Sequence, residues 1–221
     1  KDYVLRWIPK YSIIPLITAL VLNTLVYSGT MVLCKGLYHH DFTTAFDRMV
    51  PVIPEFTSIY LICYVFWVVN YIMTARISRE HMYRFLTADY LSRIVLWDFL
   101  CLFANNTGKT RNHRNRVLGS GITICVFDRS IGKLISIDSL FGKLVLLYWD
   151  QASEEDSSVV SEIFTCFCNL VCISTQVTKQ HYIIDVFGGI ILSEVCYLIG
   201  RKTNLYQGLW KVFEKINNEL V

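Results

Sequence analysis

Five stretches of this chain are apolar over lengths close to the thickness of a bilayer, and they leave few folds open to it. A membrane-spanning helix needs about 20 mostly apolar residues. Tyr11 to Leu33, Phe56 to Met73, Phe85 to Phe103, Ile163 to Thr178 and Tyr182 to Gly200 meet or approach that length. Over the 221 residues 53% are hydrophobic and only 18% charged, too apolar for an ordinary soluble domain of this size. The expected fold is therefore all-α, a polytopic helical bundle embedded in a membrane, and a single domain over residues 1–221, because no repeat, low-complexity tract or long linker divides it. The chain opens at Lys1, consistent with a trimmed leader or tag. No short apolar segment with a small-residue cleavage site is present, so the first apolar run is expected to be retained.

The basic residues fall between the apolar runs and set an orientation. Lys1, Arg6 and Lys10 precede the first run, Arg76, Arg79 and Arg84 follow the second, and Arg201, Lys202, Lys211 and Lys215 follow the last. By the positive-inside rule these three groups share the cytoplasmic side, with both termini. The turn Lys179-Gln180-His181 then lies at the outer face, and the count requires about six spans, one of them between Phe103 and Ile163. The only apolar candidate there, about Leu134 to Trp149, is interrupted by Asp138, Gly142 and Lys143. The net charge of +3 is too small to argue for a nucleic-acid partner; membrane lipids are the expected partners. The eight cysteines lie mainly inside apolar runs with no CxxC pair and read as small apolar residues.

Between the first two runs, DFTTAFDRMVPVIPE (Asp41 to Glu55) places Phe42, Phe46, Met49 and Val50 at helical spacing before Pro51 and Pro54 stop the pattern. A short interfacial helix and a plain polar loop both fit it. Polar residues inside the runs, Asn70, Asp89, Arg93 and Asp98, are costly in lipid and are expected to face the protein interior, with Asp89 and Arg93 pairing at i and i+4. His39, His40 and Asp41 lack a second ligand cluster, so no metal or other cofactor is expected. His81 and His113 carry no partner pattern. Glu154, Glu155, Asp156 and the basic run Lys109, Arg111, Arg114, Arg116 read as solvated loop charges.

The candidate site is STQVTKQHYIIDVFGG, Ser174 to Gly189, a polar hinge between two apolar runs. On a helix His181 and Asp185 share a face. The carboxylate then holds one imidazole nitrogen and leaves the other to attack, the arrangement of an activated nucleophile. A lone His in an apolar protein is more often structural, and HxxxD alone is a weak pattern; the flanking spans and the outer-face placement raise it. Gly188 and Gly189 read as close helix-packing positions.

At these residues the chain resembles the type 2 phosphatidic acid phosphatase superfamily. Ser174, His181 and Asp185 fit its third signature, Ser-Arg followed after five residues by His and after three more by Asp. HYIIDVFGG, and Pro51, Pro54 and Glu55 leading into the second run, are also similar to bacterial members. The resemblance implies six core helices and a phosphohistidine mechanism at the outer face of a bacterial plasma membrane, acting on a lipid phosphate or polyprenyl diphosphate. It makes His181 the nucleophile and Asp185 its orienting partner, with Ser174 and Lys179 on the substrate side. Thr175 stands where the family has Arg, and Lys179 is the nearby positive charge able to act as a point donor. The first signature, Lys followed six residues later by Arg-Pro, and the second, Pro-Ser-x-His, are absent as written, which removes the general acid for the leaving group.

Both missing signatures appear one nucleotide away. With permitted codons, Lys109-Thr110 shifts to Arg-Pro, and Lys133 to Asp150 shifts to a stretch containing Pro-Ser-Ile-His within a better apolar span. The hypothesis is that roughly Leu96 to Ile163 is translated out of frame between two compensating shifts. An open ancestral frame in the coding DNA, without compensating indels, would sink it. The expectation is thus an impaired membrane phosphatase or phosphotransferase. The rival expectation is a non-catalytic membrane protein or degraded pseudoenzyme, and a transporter ranks last because the polar groups sit near span ends.

Overall fold

The computed structural model describes residues 7–33, 43–105 and 158–220. All regular structure among them is helical, with no strand. The helices are α1 (Ile13–Leu33), α2 (Ala45–Met49), α3 (Thr57–Ile77), α4 (Arg79–Asn105), α5 (Ser158–Val177), α6 (Ile183–Lys202) and α7 (Leu205–Leu220), with 3₁₀ turns at Lys10–Ser12 and Pro54–Phe56. Each of the five apolar runs is a helix. The expected span at 134–149, and the loop residues from His39 to Phe42 and from Lys109 to Asp156, lie outside the described residues.

Two of the described helices are long and apolar enough to cross a membrane, Pro54–Ile77 and Ile183–Lys202. Only 11% of the first is buried, so its Leu61, Ile62, Val65, Val68 and Val69 point outward rather than into a core. The apolar parts of α1 and α5 are shorter, and α4 carries Asp89, Arg93 and Asp98.

α4 is the centre of the packing, in contact with α1, α3, α6 and α7. It follows α3 after one extended residue, Ser78, whose hydroxyl accepts from the His81 amide at 3.0 Å and so supplies the N-cap. α1 approaches closely at Gly29, where an added Cβ would sit 2.5 Å from the Trp97 ring. Met82, Tyr83, Phe85, Leu86 and Ala88 of α4 form the core with Ala19, Ala75, Cys196, Tyr206 and Phe213. Asp89 and Arg93 are 1% and 2% exposed and pair at 3.1 Å, as the spacing predicts, and the Tyr71 hydroxyl donates to the other Asp89 oxygen at 2.7 Å. Asn70 is buried as expected and donates to the Phe66 carbonyl at 2.6 Å. Asp98 departs from the expectation and is exposed. At 27 residues α4 is about 40 Å long, longer than a hydrocarbon layer, so a residue near its C-terminal end need not turn inward.

α7 completes one end of the molecule. Tyr206, Leu209, Trp210, Phe213 and Ile216 recur every three or four residues and turn one face toward α4, with the Trp210 ring stacked on Tyr83 at 5.5 Å. The basic residues gather there too. Arg84 donates to the Arg201 carbonyl at 2.6 Å and lies over Tyr206, Arg79 lies over Tyr11 and 4.0 Å from Glu214, and Arg76 lies over Trp7. Arg76, Arg79, Arg84 and Arg201, from the second and third of the basic groups expected on one side, therefore share one end of the bundle.

Candidate functional site

The opposite end of α6 carries the candidate site, and the turn that enters it is fixed by local rules. α5 ends in a Schellman motif: Gln180 N–H donates to the Thr175 carbonyl at 2.9 Å and Lys179 N–H to the Gln176 carbonyl at 3.1 Å. The second of these donors, Lys179, has φ 58°, the left-handed conformation that glycine takes most easily. His181 follows at once, its own N–H donating to the Thr175 carbonyl at 3.3 Å.

Contrary to the expectation from the i, i+4 spacing, His181 is not on a helix with Asp185. α6 begins at Ile183 with Tyr182 as its N-cap residue, so His181 stands one position before the N-cap and outside the helix. Asp185, the third helical residue, folds back so that Oδ2 accepts the Tyr182 N–H at 2.8 Å, satisfying one of the donors that a helix start leaves open. That reach brings Oδ2 to 3.6 Å from His181 Nδ1. The separation is longer than a hydrogen bond, and it is an ion-pair contact when the ring is protonated. The His181 side chain is 8% exposed and that of Asp185 0%. Asp185 Oδ1 is buried without a hydrogen-bond partner among the described residues, as are Gln176 Nε2 and Gln180 Oε1 in the same turn.

The other two expected site residues are differently employed. Ser174 is fully buried, and its hydroxyl donates to the Val171 carbonyl of its own helix at 2.7 Å. Thr175, in the place of the family's Arg, likewise donates to the Cys172 carbonyl at 2.8 Å. The Lys179 ammonium, expected as a phosphate donor, instead donates to the carbonyl of Asp47 and, at 2.5 Å, to that of Val50. An ammonium beside the carbonyls that close a helix is favourably placed, and this one binds the turn to α2.

The segment from Thr44 to Phe56 is the part of the site that the sequence reading did not include. α2 is a real helix but only five residues long, with Pro51 and Pro54 beyond it, so helix and loop each account for part of the stretch. Phe46 and Met49 are exposed while Asp47 is buried. The Asp47 carboxylate accepts from Thr44 N–H at 2.8 Å, from the Thr44 hydroxyl at 2.6 Å and, across the site, from Ile183 N–H at 2.8 Å. Burial pushes its acidity toward weaker, but these bonds and the nearby Lys179 charge outweigh burial and hold the carboxyl below its ordinary value. The signal was in the chain: Thr44-x-x-Asp47 is a capping-box spacing. Among the described residues no cluster of His, Cys, Asp and Glu is arranged to hold a metal ion. The chain matches no family model, no curated protein and no solved structure.

Proposed function

We propose that this chain is an integral-membrane phosphatase or phosphotransferase of the type 2 phosphatidic acid phosphatase kind, in a bundle of about six spans, with its site at the outer face of a bacterial plasma membrane. The observation that carries the reading is the meeting of His181 with the buried Asp185 carboxylate at the start of an apolar helix, opposite the basic end of the bundle. In this reading Nε2 attacks the terminal phosphorus of a lipid phosphate, the bond to the bridging oxygen breaks, and its electron pair leaves with the lipid. Water then attacks the phosphohistidine, releasing phosphate and restoring the ring. Asp185 favours the imidazolium-like charge that develops on the ring and fixes which nitrogen attacks.

The missing second His sets the order of substrates. An alkoxide leaving from a phosphatidate requires a proton, whereas a polyprenyl monophosphate leaving from a diphosphate does not, since its second pKa is about 6. Diphosphates are therefore the better substrates, and overall turnover is impaired. In membranes containing the wild-type chain, hydrolysis of undecaprenyl diphosphate is expected to be slow and abolished in His181→Ala, with phosphatidate slower still. Robust phosphatidate hydrolysis that depends on His181 would refute the impairment.

Two observations favour a second reading, a non-catalytic membrane protein or pseudoenzyme. The Lys179 ammonium is engaged by carbonyls, and Thr175 offers no positive charge. In that case the His181–Asp185 contact is structural, and His181→Ala costs a little stability but changes no turnover, because the wild-type chain has none.

A further inference from the structure

We propose that Asp47 is the positioning residue for His181, acting through the Ile183 amide. The inference deepens the functional reading above and rests on His181 being its reacting residue. Ile183 is the first residue of α6, and its N–H is one of the donors with no partner inside the helix. Asp47 Oδ1 takes that donor at 2.8 Å while Thr44 holds Oδ2 by two bonds. A carboxylate from a separate element thus caps α6, and favours its positive end.

The other side of the turn is held by the same segment. Lys179 donates to the Asp47 and Val50 carbonyls, and Ile53 N–H donates to the Val177 carbonyl at 3.0 Å. The C-terminal end of α5 and the N-terminal end of α6 are therefore both tied to residues 44–53. His181 lies in the five-residue link between those ties, with no regular structure of its own. Its distance from Asp185 is set by the Tyr182–Asp185 bond and by where the link is anchored to the rest of the molecule, and the anchor from another element on the α6 side is Asp47. A 3.6 Å contact is sensitive to small shifts of that anchor.

The test reads the ring without turnover, so it stands or falls separately from the phosphatase reading. The full chain in micelles, labelled with nitrogen-15 histidine and assigned with His181→Gln, reports the tautomer ratio of neutral His181. With Nδ1 facing the Asp185 carboxylate, the Nδ1-protonated form dominates. Asp47→Ala is expected to lower that ratio several-fold, while Asp47→Asn, whose amide oxygen still accepts the Ile183 proton although its NH2 cannot accept from Thr44, restores most of it. An unchanged ratio in folded Asp47→Ala, or an Asn variant as disturbed as the Ala one, would overturn the proposal. If Asp47→Ala does not fold, Thr44→Ala removes only the hydroxyl that holds Oδ2. It is expected to shift the ratio in the same direction by less, and no shift there overturns the proposal as well. Absence of phosphohistidine leaves this result intact.

Discussion

Two buried acid–base pairs, each spaced i and i+4, sit in different states in this molecule. Asp89 and Arg93 lie mid-helix in α4 at 3.1 Å, and Tyr71 occupies the second carboxylate oxygen. Asp185 and His181 straddle the start of α6 at 3.6 Å, and Asp185 Oδ1 has no hydrogen-bond partner among the described residues. In the first pair both carboxylate oxygens are occupied, although Arg93 Nη1 has no hydrogen-bond partner among the described residues, and the pair is a fixed element of the core. The second is oriented by the Tyr182 amide and leaves Asp185 Oδ1 open, the state that the proposed reacting pair would need. Identical spacing in sequence therefore does not imply an identical role; the surrounding donors decide.

Removing one partner from each pair is the strongest way to break this comparison. Arg93→Leu strands Asp89 in the core and is expected to cost about 3–5 kcal/mol, read as loss of the folded, monodisperse protein in detergent. His181→Ala is expected to cost about 1 kcal/mol, because Asp185 keeps the Tyr182 amide. Equal losses for the two would erase the distinction. The next effect belongs to Lys179. Replacing it by Met removes two bonds from a charged donor and is expected to cost about 2 kcal/mol, with faster hydrogen exchange at the Ile53 and Ile183 amides and none at α4. Protection unchanged at both amides would show that α2 is held by other contacts.

The smallest effect is a pH dependence confined to the second region. Asp47 is more acidic folded than its ordinary 3.8, so its contribution is fully present above that value and is lost as pH falls through the lower folded value. Thermal melts in detergent are expected to show wild type losing more stability than Asp47→Asn below about pH 4. Parallel curves would contradict the bonding described at Thr44 and Ile183.

Much of the fold was legible because apolar length is a strong signal. All five apolar runs are helices, and the Asp89–Arg93 pair followed from spacing alone. The boundaries moved where caps decide them: Ser78 starts α4 six residues before the apolar run does. α7 went unread although its apolar residues recur at helical spacing, because an amphipathic helix has no long apolar run to announce it. At the site, His181 and Asp185 were legible as a pair. The position of His181 outside the helix was not, since it depends on a Schellman turn built on Lys179 where glycine would have been the cue. Asp47 was missed because its capping-box spacing spoke only of α2, while its bond to Ile183 spans 136 residues of sequence.

The central claim is that the second pair holds a nucleophile. Proteoliposomes of the wild-type chain and of His181→Ala, incubated with a polyprenyl diphosphate radiolabelled in its terminal phosphate, test it most directly. An acid-labile, base-stable phosphate is expected on the wild-type chain and none on the variant. Absence of label on the folded wild type, or the same label on His181→Ala, would contradict it.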